Sequence, residues 1–96
     1  MPAYLLVNVE RVKDQDKLQE YGAMVGPVTE KYGGKVIGAS ANPEVLEGSV
    51  DAVRTLVLEF PDAATLKEWY ESDEYQPAKA LRQQGIDATL WVVDGA

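Results

Sequence analysis

The stretch VRTLVLEFPDAATLKEWYESDEYQPAKALR, residues 53–82, runs from strand into helix and then around an acidic bend set between aromatics. Its first part, VRTLVLEF (53–60), is dense in β-branched and large apolar side chains and reads as a strand. Pro61-Asp62 marks a helix start, and Leu66, Trp69 and Tyr70 form the apolar stripe of that helix. Ser72 is a candidate N-cap, with Asp73 and Glu74 in the first turn at the positive end of the dipole and Lys79 and Arg82 toward the negative end. Pro77 lies too deep for a helix starting at Ser72, so the alternative is a restart with Pro77 at the first helical position. Either way the chain bends between Tyr70 and Tyr75. The bend is expected to fold Tyr75 back onto Trp69 and Tyr70.

Upstream, AYLLVNVE (3–10) is a second strand. Asp14 or Asp16 caps a helix whose apolar residues Leu18, Tyr21, Val25, Val28 and Tyr32 fall on one face. Gly26-Pro27 inside that run predicts a kink, and Gly33-Gly34 ends it. KVIGAS (35–40) is a strand and ANP (41–43) a turn, after which EVLEG (44–48) either extends the strand past a bulge or forms a short one. Gly85 closes the second helical region, and ATLWVVD (88–94) is the last strand. The order strand, helix, strand, strand, helix, strand is the split βαβ pattern of an α+β, ferredoxin-like βαββαβ sandwich. Right-handed crossovers give an antiparallel sheet of order 4-1-3-2 with both helices on one face. Residues 1–96 read as a single domain.

Composition removes several functions. A chain of 96 residues with 46% hydrophobic and 26% charged residues is an ordinary globular composition. The net charge of −7, with Lys and Arg scattered, argues against nucleic-acid and anionic-membrane partners. No apolar run reaches the ~20 residues of a membrane helix, and MPAYLLVNVE lacks the layout of a secretory leader, so the expected location is cytoplasmic. The absence of Cys and His leaves no thiol nucleophile, imidazole base or ordinary zinc site. The spacing of Glu71, Asp73 and Glu74 matches no cation-binding loop, and neither metal nor cofactor is expected.

Strand alternation sorts the remaining candidates. Leu5, Val7, Val9, Leu56, Leu58 and Phe60 form one apolar set, assigned to the helix-covered core. The opposite set holds Tyr4, Leu6, Asn8, Thr55, Val57 and Glu59, with Thr89, Trp91 and Val93 from the last strand. A solvated face would alternate polar with apolar, yet these strands are nearly continuous apolar runs, the pattern of burial on both sides. A homodimer closing the second face is therefore expected. Glu59, a carboxylate among apolar neighbours, is the candidate for acid–base work, or else one half of an ion pair with Arg54 or Arg82. Asn8 is a candidate for orienting a carbonyl. Tyr4, Trp69, Tyr70, Tyr75, Arg82 and Trp91 are the candidate ligand-binding residues.

Several of these segments together resemble a known family. AYLLVNVE, the KYGG helix end, EVLEG and LEFPDAATLKEWYESDEYQPAKALR are similar to the bacterial family called domain of unknown function 1330, over nearly the whole chain. The most specific part is Glu59-Phe60-Pro61 followed by Trp69-Tyr70, Ser72, Glu74-Tyr75-Gln76 and Arg82, while Pro77 stands where a small or aliphatic residue is the pattern. The resemblance implies a dimeric α+β barrel, in a superfamily that includes cofactor-independent monooxygenases, lactone isomerases, haem-degrading enzymes and ligand-sensing domains. It implies no general activity. Two readings follow: a protein that binds a small, aromatic or oxygenated molecule without catalysis, and a cofactor-independent monooxygenase- or isomerase-like enzyme using Glu59, Asn8 and aromatic side chains.

Overall fold

Four strands and three helices follow in the order β1 (Ala3–Val12), α1 (Gln15–Lys31), β2 (Lys35–Ser40), β3 (Arg54–Phe60), α2 (Ala63–Glu71), α3 (Gln76–Gly85) and β4 (Ile86–Asp94), in a computed structural model describing residues 1–96. The sheet is antiparallel with order β2-β3-β1-β4, the expected order read from its other end. Central strand β1 pairs Tyr4 with Glu59 and Asn8 with Thr55 on one side, and Leu6 with Trp91 and Tyr4 with Val93 on the other. That register places Thr89, Trp91 and Val93 on the face of Tyr4, Leu6 and Asn8, as the alternation requires.

The helix-covered face of the sheet carries the core. Ala3, Leu5, Val7, Val9, Leu58 and Phe60 pack against Leu66, Trp69, Tyr75, Ala78 and Ile86 in one cluster, with Leu18, Tyr21, Val25 and Val28 of α1 around it. Trp69, Tyr75, Phe60 and Leu66 are the largest fully buried side chains. No helix is long and apolar enough to cross a membrane.

Several local expectations change. Asp14 is the N-cap of α1, its carboxylate accepting from the amides of Asp16 and Lys17. Helix α1 runs through Pro27 as one element and ends at Lys31, just before Gly33-Gly34. Pro27 and Ala23, four residues back, both lie on the exposed face, where solvent can serve the carbonyl that Pro27 leaves without a donor. Gly33 closes the helix with φ 75°, the left-handed region that favours glycine. Gly34 is buried where a Cβ would lie 2.6 Å from Phe60 Cε1 and 2.7 Å from Thr29 Cγ2.

EVLEG forms no strand; residues 41–53 cross between β2 and β3 without regular structure. Two bonds fasten the end of that crossing to β1: Asn8 Nδ2 donates to the Asp51 carbonyl at 3.0 Å, and Val53 N to the Val9 carbonyl at 2.8 Å. Ser72 is the C-cap of α2, its hydroxyl donating back to the Trp69 carbonyl at 2.8 Å. The same oxygen accepts from the Tyr75 amide at 3.2 Å, the bond expected of a cap, although α3 itself starts only after Tyr75. Gln76 Nε2 takes the carbonyls of Tyr70 and Ser72, so the exposed end of α2 is hydrogen-bonded twice over. Helix α3 restarts with Tyr75 as its N-cap and Pro77 in its first turn, which is the second of the two expected geometries.

Candidate functional site

The bend at Ser72 brings the aromatics together. Tyr75 lies 4.3 Å from Trp69 and 5.7 Å from Tyr70 between ring centroids, and Phe60 meets Trp69 at 5.1 Å. The Tyr75 hydroxyl reaches across to the Tyr21 hydroxyl of α1 at 3.1 Å. Burial pushes the Tyr21 hydroxyl far above its ordinary pKa, Tyr75 beside it adds to the shift, and the Arg82 cation opposes it. Trp69 Nε1 is buried without an acceptor.

Helix α3 carries one more residue into this region. Ala78, Arg82 and Gly85 are its buried residues, at intervals of four and three, so Arg82 stands on the inward stripe between two small side chains. The residue is 6% exposed, its Nε has no hydrogen-bond partner, and it takes part in none of the ion pairs.

Arg82 opens onto a groove of about 430 Å³ along the β4 edge of the sheet, where Tyr70 and Arg82 on the helical side face Ile86, Ala88 and Leu90 of β4. A smaller hollow of about 240 Å³ continues between α2 and β4, sharing Tyr70 and Leu90 with the first and adding Leu66 and Trp91. Lys79 lies over the outer part of the Tyr70 ring system at 4.6 Å from the centroid and helps hold it in place. Two carboxylic residues belong to the main groove, Glu10 and Asp87. Both are engaged elsewhere. Glu10 accepts from Asn8 Nδ2 at 2.7 Å and from Thr89 Oγ1 at 3.2 Å. Asp87 is bound by Arg11 and by Lys13, and the Arg11 hydrogen bond in particular holds its carboxyl below the usual range.

The sequence-derived candidates thus divide between two sides of the sheet. Trp69, Tyr70, Tyr75 and Arg82 gather on the helical side, Trp69 and Tyr75 as buried packing and Tyr70 and Arg82 as groove wall. Tyr4, Asn8, Glu59 and Trp91 lie on the opposite face, with Trp91 also reaching the smaller hollow at the sheet edge. Glu59 pairs with Lys35 Nζ at 3.3 Å across the β2–β3 register, and with neither Arg54 nor Arg82. Asn8 spends both ends of its amide on protein partners, Nδ2 donating to Glu10 and to the Asp51 carbonyl and Oδ1 accepting from Thr55 Oγ1 at 3.1 Å. Asn8 and Glu59 are offset by four residues along β1, about 13 Å at strand rise. The groove residues Glu10, Gln83, Ile86, Asp87, Ala88 and Leu90 were not among the candidates. The signal for this site was legible in α3: an arginine spaced as a core residue between Ala78 and Gly85.

The sheet order and the single helical layer define the class: a ferredoxin-like α+β protein. The chain belongs to the family described as domain of unknown function (DUF1330), whose model matches residues 2–96. Among solved structures it is similar to a protein of unknown function from Rhodopseudomonas palustris, with 25% identity and a TM-score of 0.81, covering 99% of this chain and 82% of that one. It is also similar to a dimeric ferredoxin-like protein of unknown function from Jannaschia sp. CCS1, with 14% identity, TM-score 0.75, and coverage of 99% and 100%. SnoaB, a cofactor-independent oxygenase from Streptomyces nogalater, shares the fold at 7% identity and TM-score 0.63, covering 99% of this chain and 91% of that one. No curated protein sequence matches the chain.

Proposed function

We propose that this is a homodimeric, single-domain protein of the cytoplasm that binds a small aromatic or oxygenated molecule in the groove between α2–α3 and β4. The observation that carries the reading is the groove itself, where Tyr70, Ile86, Ala88 and Leu90 share the wall with Glu10, Arg82, Gln83 and Asp87. Small-molecule sites combine apolar walls with placed polar atoms, and this groove supplies both. The homodimer draws on the half-exposed apolar face of Tyr4, Leu6, Val57, Trp91 and Val93, and on the relative from Jannaschia, which is described as dimeric. Two sheets joined through these faces would make the shared barrel expected from the strand patterns and leave each groove on the helical side.

The rival reading is a cofactor-independent monooxygenase- or isomerase-like enzyme working through Glu59 and Asn8. It draws on the fold shared with SnoaB. The separation of Glu59 from Asn8, and their engagement by Lys35, Thr55 and Glu10, favours binding over catalysis at that face.

A ligand-observed NMR screen of water-soluble aromatic fragments tests the proposal, with hits mapped on the backbone amides. The expected hits perturb Tyr70, Arg82 and residues 86–90 together. A screen whose hits all map to the outer sheet face, or which yields none at millimolar concentration, would remove the groove reading.

A further inference from the structure

We infer that the ligand carries a carboxylate, and that Arg82 is the residue that receives it; the inference rests on the groove being the ligand site. Arg82 is the one cationic side chain in the groove lining. The residue is 6% exposed, its buried Nε donates to nothing, and it lines the groove. Burying an unpaired charge is costly, and interiors pair such groups or leave them facing an occupant.

The nearby carboxylates do not fill that role. Asp87 is saturated by Arg11 and Lys13, and Glu10 is held by Asn8 and Thr89. A guanidinium offers a planar fork that matches a carboxylate in two parallel hydrogen bonds. The charge setting narrows the class further. One unpaired arginine in a chain of net charge −7 suits a monoanion better than a phosphate ester, which would bring a second negative charge toward Glu10 and Asp87. Beyond the arginine and the engaged carboxylates, the groove is lined by Gln83 and by Tyr70, Ile86, Ala88 and Leu90, the last four offering apolar surface to a flat body. The inferred ligand class is an aromatic or similarly planar monocarboxylate.

Benzoate and its neutral isostere benzamide form the matched probes, titrated into the 15N-labelled protein while the Arg82 Nε–H resonance is followed. Benzoate is expected to bind about tenfold or more tightly than benzamide, as a charge-assisted pair requires, and to move the Arg82 Nε–H signal downfield. Arg82→Gln should abolish the preference for benzoate, and Arg82→Lys should retain part of it. Should either variant fail to fold, the wild-type affinity ratio and the Nε–H shift decide alone. Equal binding of both probes at Tyr70 and residues 86–90 would overturn the carboxylate inference and leave the groove reading standing. Binding of neither would overturn both. A shift of the Arg82 Nε–H signal in Glu10→Gln without any probe would show that Glu10 pairs with Arg82 in solution, and would also overturn the inference.

Discussion

Strand β1 carries large apolar side chains on both of its faces, and they meet different fates. Leu5, Val7 and Val9 point toward the helices and are 3%, 7% and 5% exposed. On the other face Tyr4 and Leu6 are half-buried, and their β4 neighbours Trp91 and Val93 are 43% and 44% exposed. The difference teaches that side-chain character alone does not bury a face; a second layer must lie on it. On the helical side that layer is α1 with α2–α3, brought into contact partly by small residues. Gly85 lets α3 approach so closely that a Cβ there would lie 3.0 Å from the Leu18 amide nitrogen of α1. On the outer side this chain supplies no layer, and the second copy is the proposed one.

The largest expected effect is on the covered side. Tyr75→Ala removes a fully buried ring from contact with Trp69, Tyr70 and Tyr21, and should cost about 3–5 kcal/mol by denaturant unfolding. A loss below about 1 kcal/mol would mean that the aromatic corner is loose and that the two faces are less unlike than described. Next in size is Gly34→Ala. The added methyl meets the Phe60 ring and the Thr29 methyl, and overpacking of this kind should cost about 1–3 kcal/mol.

A pH experiment sharpens the comparison from the inside. The folded-state pKa of Tyr21 is raised above its ordinary 10.0, so the folded protein holds a proton that the unfolded chain releases. The stabilisation is complete below pH 10 and falls as the pH rises beyond it. Tyr21→Phe should flatten this alkaline decline, read as melting temperature against pH from 9 to 11.5. An unchanged slope would show that the Tyr21 hydroxyl reaches water. The smallest effect lies at an exposed helix start. Asp62 caps α2 through the Thr65 amide at 2.7 Å, and that bond holds its carboxyl below the ordinary value. Its contribution is present above the unfolded carboxylate pKa and is lost as the pH falls through the lower folded one. Asp62→Asn, which can keep a capping oxygen, should therefore weaken the acid-side slope more than the stability at pH 7.

The fold was legible because its signals are local and mutually consistent. Period-two strands, a five-residue apolar stripe on α1, and turn residues at 33–34 and 61–62 all point to one topology. What was misread involves competing local chemistries. Ser72 carries a hydroxyl suited to opening a helix, and here it does two jobs, closing α2 through the Trp69 carbonyl and accepting from the Tyr75 amide ahead of α3. Candidate residues were harder to read than strands. Strand parity places Glu59 and Asn8 on one face, but their distance apart depends on cross-strand register, which no single segment reveals. The partner of Glu59 is Lys35 for the same reason, since only the β2–β3 pairing sets them side by side. Arg82 was recognisable by type, whereas its lack of a partner needed the positions of every acid around it.

The difference between the two faces of β1 is tested most directly by sedimentation equilibrium at micromolar concentration, on the wild type and on Trp91→Glu. Trp91 sits across from Leu6 on the uncovered face and is 43% exposed. The account predicts a wild-type species at twice the 10.5 kDa chain mass, and a folded Trp91→Glu species at 10.5 kDa. A wild type that sediments at 10.5 kDa while remaining folded would contradict it, because the apolar outer face would then stand in water without a partner.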